Sequence, residues 1–304
     1  MKVTAPRSTI LVLSLAGALP GCAVKKLAVN SLGNALASGV STYATDDDPE
    51  LIRDATPFGL KTVESLLQES PRHKGLLFAA CSGFTEYGYA FVQQEADFVE
   101  SADFARATAL RNRARKLYKR ALDYGFRGLE VDFPGLRERL RTDAPAALAK
   151  SKKEHVRLLY WTGIALGAAI AISKDDADLT AQQPQMEALM RRALSLDESF
   201  DGGSIHDFFI TYEGGRTSVG GSVVKAREHF ERSIELSKGD RAWPYVDFAE
   251  TVSVGTQDRK EFEALLQKAL AVAPDKVPEQ RLANLIAQQR ARWLLARADE
   301  LFVE

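Results

Sequence analysis

Residues 223–236 read Val-Val-Lys-Ala-Arg-Glu-His-Phe-Glu-Arg-Ser-Ile-Glu-Leu. Val223, Ala226, Phe230 and Ile234 fall 3, 4 and 4 positions apart, a spacing that places them on one stripe of an α-helix, with Lys, Arg and Glu filling the other side. The same pattern returns downstream. Phe262, Leu265, Leu266, Ala269 and Leu270 form a second stripe. Leu282, Leu285, Ile286, Trp293, Leu294 and Leu301 form a third, interleaved with Arg281, Arg290, Arg292 and Arg297. The two-residue alternation of strands is nearly absent.

Helix breaks are expected at Ser70-Pro71, from Gly125 to Gly128, at Phe133-Pro134-Gly135, at Gln183-Pro184, between Gly239 and Pro244, and at Ala273-Pro274. Pro49 behind the acidic run Asp46-Asp47-Asp48 suits the first turn of a helix. The segments between breaks have the size of helical hairpins. Ala226 stands four before the aromatic Phe230 and seven before Ser233, a degenerate tetratricopeptide spacing, and residues 262–274 and 190–199 are further candidates. The expected fold is therefore all-α, an irregular tetratricopeptide-like helical-hairpin array. An unrelated helical bundle is the other reading of the same periodicity.

The 304 residues are 45% hydrophobic and 27% charged, with a formal net charge of −1 and two cysteines. That apolar fraction excludes a disordered chain, and two cysteines exclude a disulfide scaffold. Balanced charge supplies no basic field, so no nucleic-acid partner is expected.

The N-terminus fixes the expected compartment. Lys2 and Arg7 precede the apolar run 10–19, which suits a secretory signal and is too short to span a bilayer. It ends Leu19-Pro20-Gly21-Cys22, which resembles a bacterial lipobox. The expected organisation is a lipoprotein signal peptide at 1–21, a lipidated segment at 22–48 starting with Cys22, and an α-helical domain at 49–304. Cleavage removes Lys2 and Arg7 and moves the formal charge from −1 to −3. An ordinary cleaved signal with a bystander cysteine is the alternative. Lipidation of Cys22 leaves Cys81 unpaired in an apolar stretch, where it is expected to be a buried, inert thiol. The mature protein is expected to be a soluble body on a lipid tether.

Signals for chemistry are few. His73, His155, His206 and His229 have no metal-ligand spacing, so no metal, cofactor or catalytic site is expected. No Gly-x-Ser-x-Gly elbow is present. Gly215 and Gly220 begin a P-loop spacing, but Gly221 stands where lysine is required. Residues 202–221 hold six glycines together with His206, Phe208, Phe209, Tyr212, Glu213 and Arg216, and are expected to form a long loop that lines a pocket or packs its aromatics on the next helix. Residues 158–168 are apolar all round, so this helix is expected to be buried on every side, with Gly163 and Gly167 admitting a close neighbour. Arg106, Arg111, Arg113, Arg115 and Arg120 are expected to be solvated.

Longer strings carry a family resemblance. They are 46–55 with Pro57-Phe58, Leu60-Lys61 and Glu64-Ser65-Leu66-Leu67; Gly83-Phe84 and Tyr89-Ala90-Phe91-Val92; residues 206–213; Gly220-Gly221; residues 225–230; and residues 288–295. Together with Cys22 they resemble the T component (TatT) lipoproteins of tripartite ATP-independent periplasmic (TRAP) transporters. The resemblance implies a helical periplasmic lipoprotein that assembles as a homotrimer, with an apolar cleft or pore in each subunit. It also implies docking to the periplasmic solute-binding protein and handling of a hydrophobic or organic-acid ligand, with no enzyme activity. Ala23 after the cysteine, where no aspartate stands, points to the outer membrane. The residues themselves suggest Trp161, His206, Phe208, Tyr212, Arg216 and Trp243 as one elongated ligand cavity, with His206 and Arg216 facing an acidic head group. An envelope assembly scaffold that grips only proteins is the competing function.

Overall fold

The computed structural model describes residue 25, residues 29–34 and residues 42–303. Every regular element among them is helical. Cys22 and the signal segment lie outside the described residues.

α1 (Pro49–Glu69) starts as the sequence predicts. Pro49 occupies its first position, and Asp48 Oδ1 accepts from the backbone N–H of Glu50 and Leu51, both at 3.0 Å. Ser70-Pro71 ends it. α2 (Lys74–Tyr87) then runs through a π-helical turn, Gly88–Gln93, into α3 (Gln94–Val99). α4 (Phe104–Glu130) is a single 27-residue helix, so the break expected between Gly125 and Gly128 is absent. Those glycines serve packing instead. A Cβ at Gly125 would stand 2.9 Å from Cys81 Sγ, and one at Gly128 would stand 2.9 Å from Leu158 Cδ2.

After α5 (Leu136–Thr142) and α6 (Ala144–Leu148) comes the apolar helix, α7 (Val156–Ala171). Its Gly163 and Gly167 do admit a neighbour: Met190 and Met186 of α9 (Gln183–Leu196) reach to 2.5 and 3.0 Å of where Cβ atoms would sit. α8 (Ala177–Thr180) lies between them in the chain. Burial of α7 is not complete, because Trp161, Ile164 and Ala168 share one stripe that keeps partial exposure. On the arginine face of α4, Arg106, Arg113 and Arg120 are exposed as expected, while Arg111 and Arg115 are half-buried. Arg111 binds Glu100 and Asp97, Arg115 donates to the Ile172 carbonyl, and Arg120 lies over the Phe84 ring.

The glycine-rich region is the main departure. A tight turn at Phe200–Gly203 leads into α10 (Ser204–Gly214), so His206, Phe208 and Tyr212 sit on a helix rather than in a loop. The six glycines flank residues 204–213 and none falls within them, which leaves Ile205, Phe209 and Tyr212 as an unbroken helical stripe. Gly202 and Gly203 adopt φ of 63° and 98°, values that glycine takes without steric cost. α11 (Val223–Ser237), α12 (Trp243–Phe248), a second π-helical turn at Ala249–Ser253, α13 (Arg259–Ala271), α14 (Arg281–Ala296) and α15 (Ala298–Leu301) complete the chain.

Two apolar cores result. The first spans Leu60 to Tyr212 and is filled by α1, α2, α4, α7 and α9. The second gathers Ile210, Phe248, Phe262, Leu266 and Leu294 from α10 and the helices C-terminal to it. α10 contributes to both and forms the wall between them.

Candidate functional site

Polar side chains cluster where the two cores meet. Arg241, just before α12, is only 6% exposed, and its Nη2 lies 2.7 Å from Asp207 Oδ2 on α10. Asp207 also accepts from Ser233 Oγ at 2.5 Å. Burial pushes the Asp207 carboxyl up despite Arg241, and the neighbouring acids hold Arg241 charged despite its own burial. Asp247 of α12 lies in the field of Asp207, Glu250 and Arg241, and desolvation raises its pKa well above the carboxylate range.

Asp201 approaches from the turn before α10. It holds φ of 47°, an unfavourable value for a side-chain-bearing residue, and is kept there by Ser204 Oγ and Gln280 Nε2, which donate to its two carboxylate oxygens at 2.5 and 2.8 Å. Across from it stands Glu86 of α2. Glu86 keeps exposed surface, yet desolvation and the charge of Asp201 push its pKa up to about 7. Free surface together with strong desolvation sets the Glu86 carboxyl in a recess of the fold.

Aromatic rings border this space. Tyr89, in the first π-helical turn, packs on Trp243 with ring centroids 5.6 Å apart. Tyr160 meets Trp161 and Phe200, each at 5.2 Å, and lies in the field of Asp201, Asp207 and Arg241. Burial raises the phenols of Tyr89 and Tyr160 beyond any ordinary titration, so both remain neutral donors. Two π-helical turns thus face the region, one carrying Tyr89 and the other Glu250; such turns recur at functional sites. Arg290 of α14 joins them, binding Asp97 Oδ2 at 2.8 Å and both oxygens of Glu250. A groove of about 290 Å³ opens beside this latch, lined by Asp97, Glu250, Arg290, Trp293 and Arg297.

The six residues expected to share one cavity fall into three groups. Trp161 joins Tyr160, and Trp243 joins Tyr89; both pairs border the polar cluster. Phe208 and Tyr212 stack on each other at 5.4 Å, with the Arg216 guanidinium 4.1 Å over the Tyr212 ring. Tyr212 Oη donates to Glu187 at 2.8 Å, which places this group against α9. His206 belongs to neither. It is buried between α10 and α11, its Nδ1 2.8 Å from that of His229. Burial lowers the pKa of both histidines, and His206 helps to hold His229 at about 4. His206 and Arg216 therefore do not converge on one head group. Cys81 is fully buried and its pKa is pushed up to about 12 by desolvation, as an inert thiol requires.

Sequence pattern does not single out Glu86, Tyr89, Asp201, Arg241 or Asp247. Glu86 sits where a solvated helix face is expected, and only the meeting of α2 with the turn before α10 reveals it.

The sequence profile of a family described as the TRAP transporter T-component matches residues 45–302 of this chain. A protein of Treponema pallidum (strain Nichols), described as an uncharacterized protein, is 28% identical over 303 residues, which takes in 93% of this chain and 94% of that one.

Proposed function

The chain belongs to the TRAP transporter T-component family, and from that premise we propose that it is a lipid-anchored accessory which holds a small organic ligand between its two cores. The observation that carries this is the set of charged and aromatic side chains gathered where the two cores meet, each keeping some accessible surface: Glu86, Tyr89, Trp161, Trp243 and Asp247. Buried ionisable groups are costly to a fold, so their concentration at one internal boundary supports a binding role. The ligand is a hydrophobic or acid-bearing organic molecule, passed to or from the periplasmic solute-binding protein docked outside. Residues 1–21 are the signal, and 22–48 form the segment that begins with lipidated Cys22. The helical pairs are tetratricopeptide-like units, three chains make a homotrimer, and the protein faces the periplasm, at the outer membrane. No catalytic role is proposed.

Protein purified from its native envelope, denatured and studied by mass spectrometry, tests the ligand. The expected result is a small molecule near one per chain; repeatedly empty protein would remove this reading. Cross-linking in the native envelope tests the docked partner. A second reading, the envelope scaffold, draws support from α1, where Leu51 and Phe58 are 56% and 80% exposed and lie two turns apart on one face. Substituting both with serine should abolish partner capture and leave any bound small molecule in place.

A further inference from the structure

The interior boundary holds more carboxyl groups than its cations pair with. Arg241 is engaged by Asp207, and Arg290 by Asp97 and Glu250. Among the described residues no hydrogen bond or ion pair reaches the carboxylates of Glu86 or Asp247, and Asp201 is held by the hydroxyl of Ser204 and the amide of Gln280 rather than by a cation. A desolvated carboxylate without a positive partner destabilises the fold that contains it. The opposite imbalance exists at Arg241, whose field reaches Asp247: the side chain is buried, and its Nε and Nη1 have no acceptor. Tyr89 lies in the field of Asp247 and Tyr160 in that of Asp201 and Arg241, so the Tyr89–Trp243 and Tyr160–Trp161 pairs share this boundary, and electron-rich ring faces attract cations.

We propose that the ligand carries an ammonium group, which lies between the aromatic pairs and supplies the positive partner that Glu86 and Asp247 lack. This rests on the ligand-binding reading above and names the chemistry of its ligand. A molecule that also bears a carboxylate would turn that end toward the unpartnered edge of Arg241, so an amino-acid-like zwitterion satisfies both imbalances, whereas a simple amine satisfies the first alone.

The test uses the full chain from its native envelope. Small molecules released on denaturation are separated and identified in both ion modes. An ammonium-bearing molecule supports the proposal, and the presence or absence of a carboxylate on it distinguishes zwitterion from amine. A molecule with no ammonium overturns the proposal and leaves ligand binding standing; no molecule overturns both. The variants Glu86→Gln and Asp247→Asn keep shape and remove charge. Each is expected to reduce the recovered ligand roughly tenfold or more, since one lost charge pair in a desolvated site exceeds the interval of about 1.4 kcal/mol that tenfold represents. Thermal stability of the variants should hold or rise. Undiminished ligand in the double variant would overturn the proposal, and Glu86→Asp, which retains the charge, should retain the ligand.

Discussion

Phe209 and Ile210 are adjacent on α10 and both completely buried, but in different cores. One helix therefore serves as the party wall of the molecule, and damage to either face is felt on both sides. Phe209→Ala should lower stability by about 3–5 kcal/mol and Ile210→Ala by about 2–5 kcal/mol. Urea unfolding followed by circular dichroism and by tryptophan fluorescence should give coincident transitions in both variants. Trp161 reports on the first core, while Trp243 and Trp293 report on the second. Two separated transitions would mean that the cores fold independently.

Close helix packing makes a second expectation. Gly125→Ala introduces a methyl against Cys81 and against Thr162, whose hydroxyl is fixed on the Leu158 carbonyl at 2.5 Å. A loss of about 1–3 kcal/mol is expected even though alanine favours helix. Gly163→Ala crowds the flexible side chain of Met190, with Leu189 Cβ at an ordinary 3.7 Å, and should cost less. Denaturant midpoints of the two variants give the comparison, and equal losses would contradict it.

The histidine pair predicts an acid-side dependence. His229 falls from 6.5 to about 4 on folding, so between those values the unfolded chain holds a proton that the folded chain does not. Stability should therefore rise with pH across that window and level off above it. His206 contributes in the same direction, while the raised carboxyls Glu86, Asp207 and Asp247 contribute the opposite slope. His229→Phe keeps a ring against Phe209, whose centroid lies 4.9 Å away, and removes the titration. Its stability from pH 4 to 7, subtracted from that of the unaltered protein, should isolate the slope; a flat difference would count against the pair.

The proposed lipid attachment rests on one atom. Cys22→Ser should abolish metabolic lipid labelling and shift the protein out of the membrane fraction. Labelling that persists in the variant would remove Cys22 as the anchor. Separation of inner and outer membranes on a density gradient locates the unaltered protein.

Much of the fold is legible in local pattern. The stripe Val223, Ala226, Phe230 and Ile234 is α11, Pro49 opens α1, Pro184 lies in the first turn of α9, and the glycines of α7 sit where Met186 and Met190 press in. The features that sequence conceals are long-range. Glycine reads locally as a breaker, yet Gly125 and Gly128 lie within α4, where Cys81, Thr162 and Leu158 occupy the space a side chain would need. Clustered glycines around residues 204–213 suggest a loop, although the stripe of Ile205, Phe209 and Tyr212 stands between them. The histidine pair joins residues 23 positions apart on different helices, and no spacing rule encodes it. Trp161 and Trp243 are visible in the sequence because large aromatics in unusual settings attract notice. Glu86 is not, because one acid on a helix is ordinary until the chain folds around it.

The π-helical turns have a consequence for sequence change. Such a turn accommodates one residue more than an α-helical turn, so deleting a single residue from Gly88–Gln93 would restore regular winding while the helices on either side keep nearly their present facing. Glu86 before the turn and Asp97 with its arginine after it would hold their alignment, and the widened turn that carries Tyr89 would be lost. A deletion within Ala249–Ser253 would likewise spare Asp247 and remove the widened turn that carries Glu250. Length, rather than residue identity, is the variable by which these two segments would gain or lose their bulge.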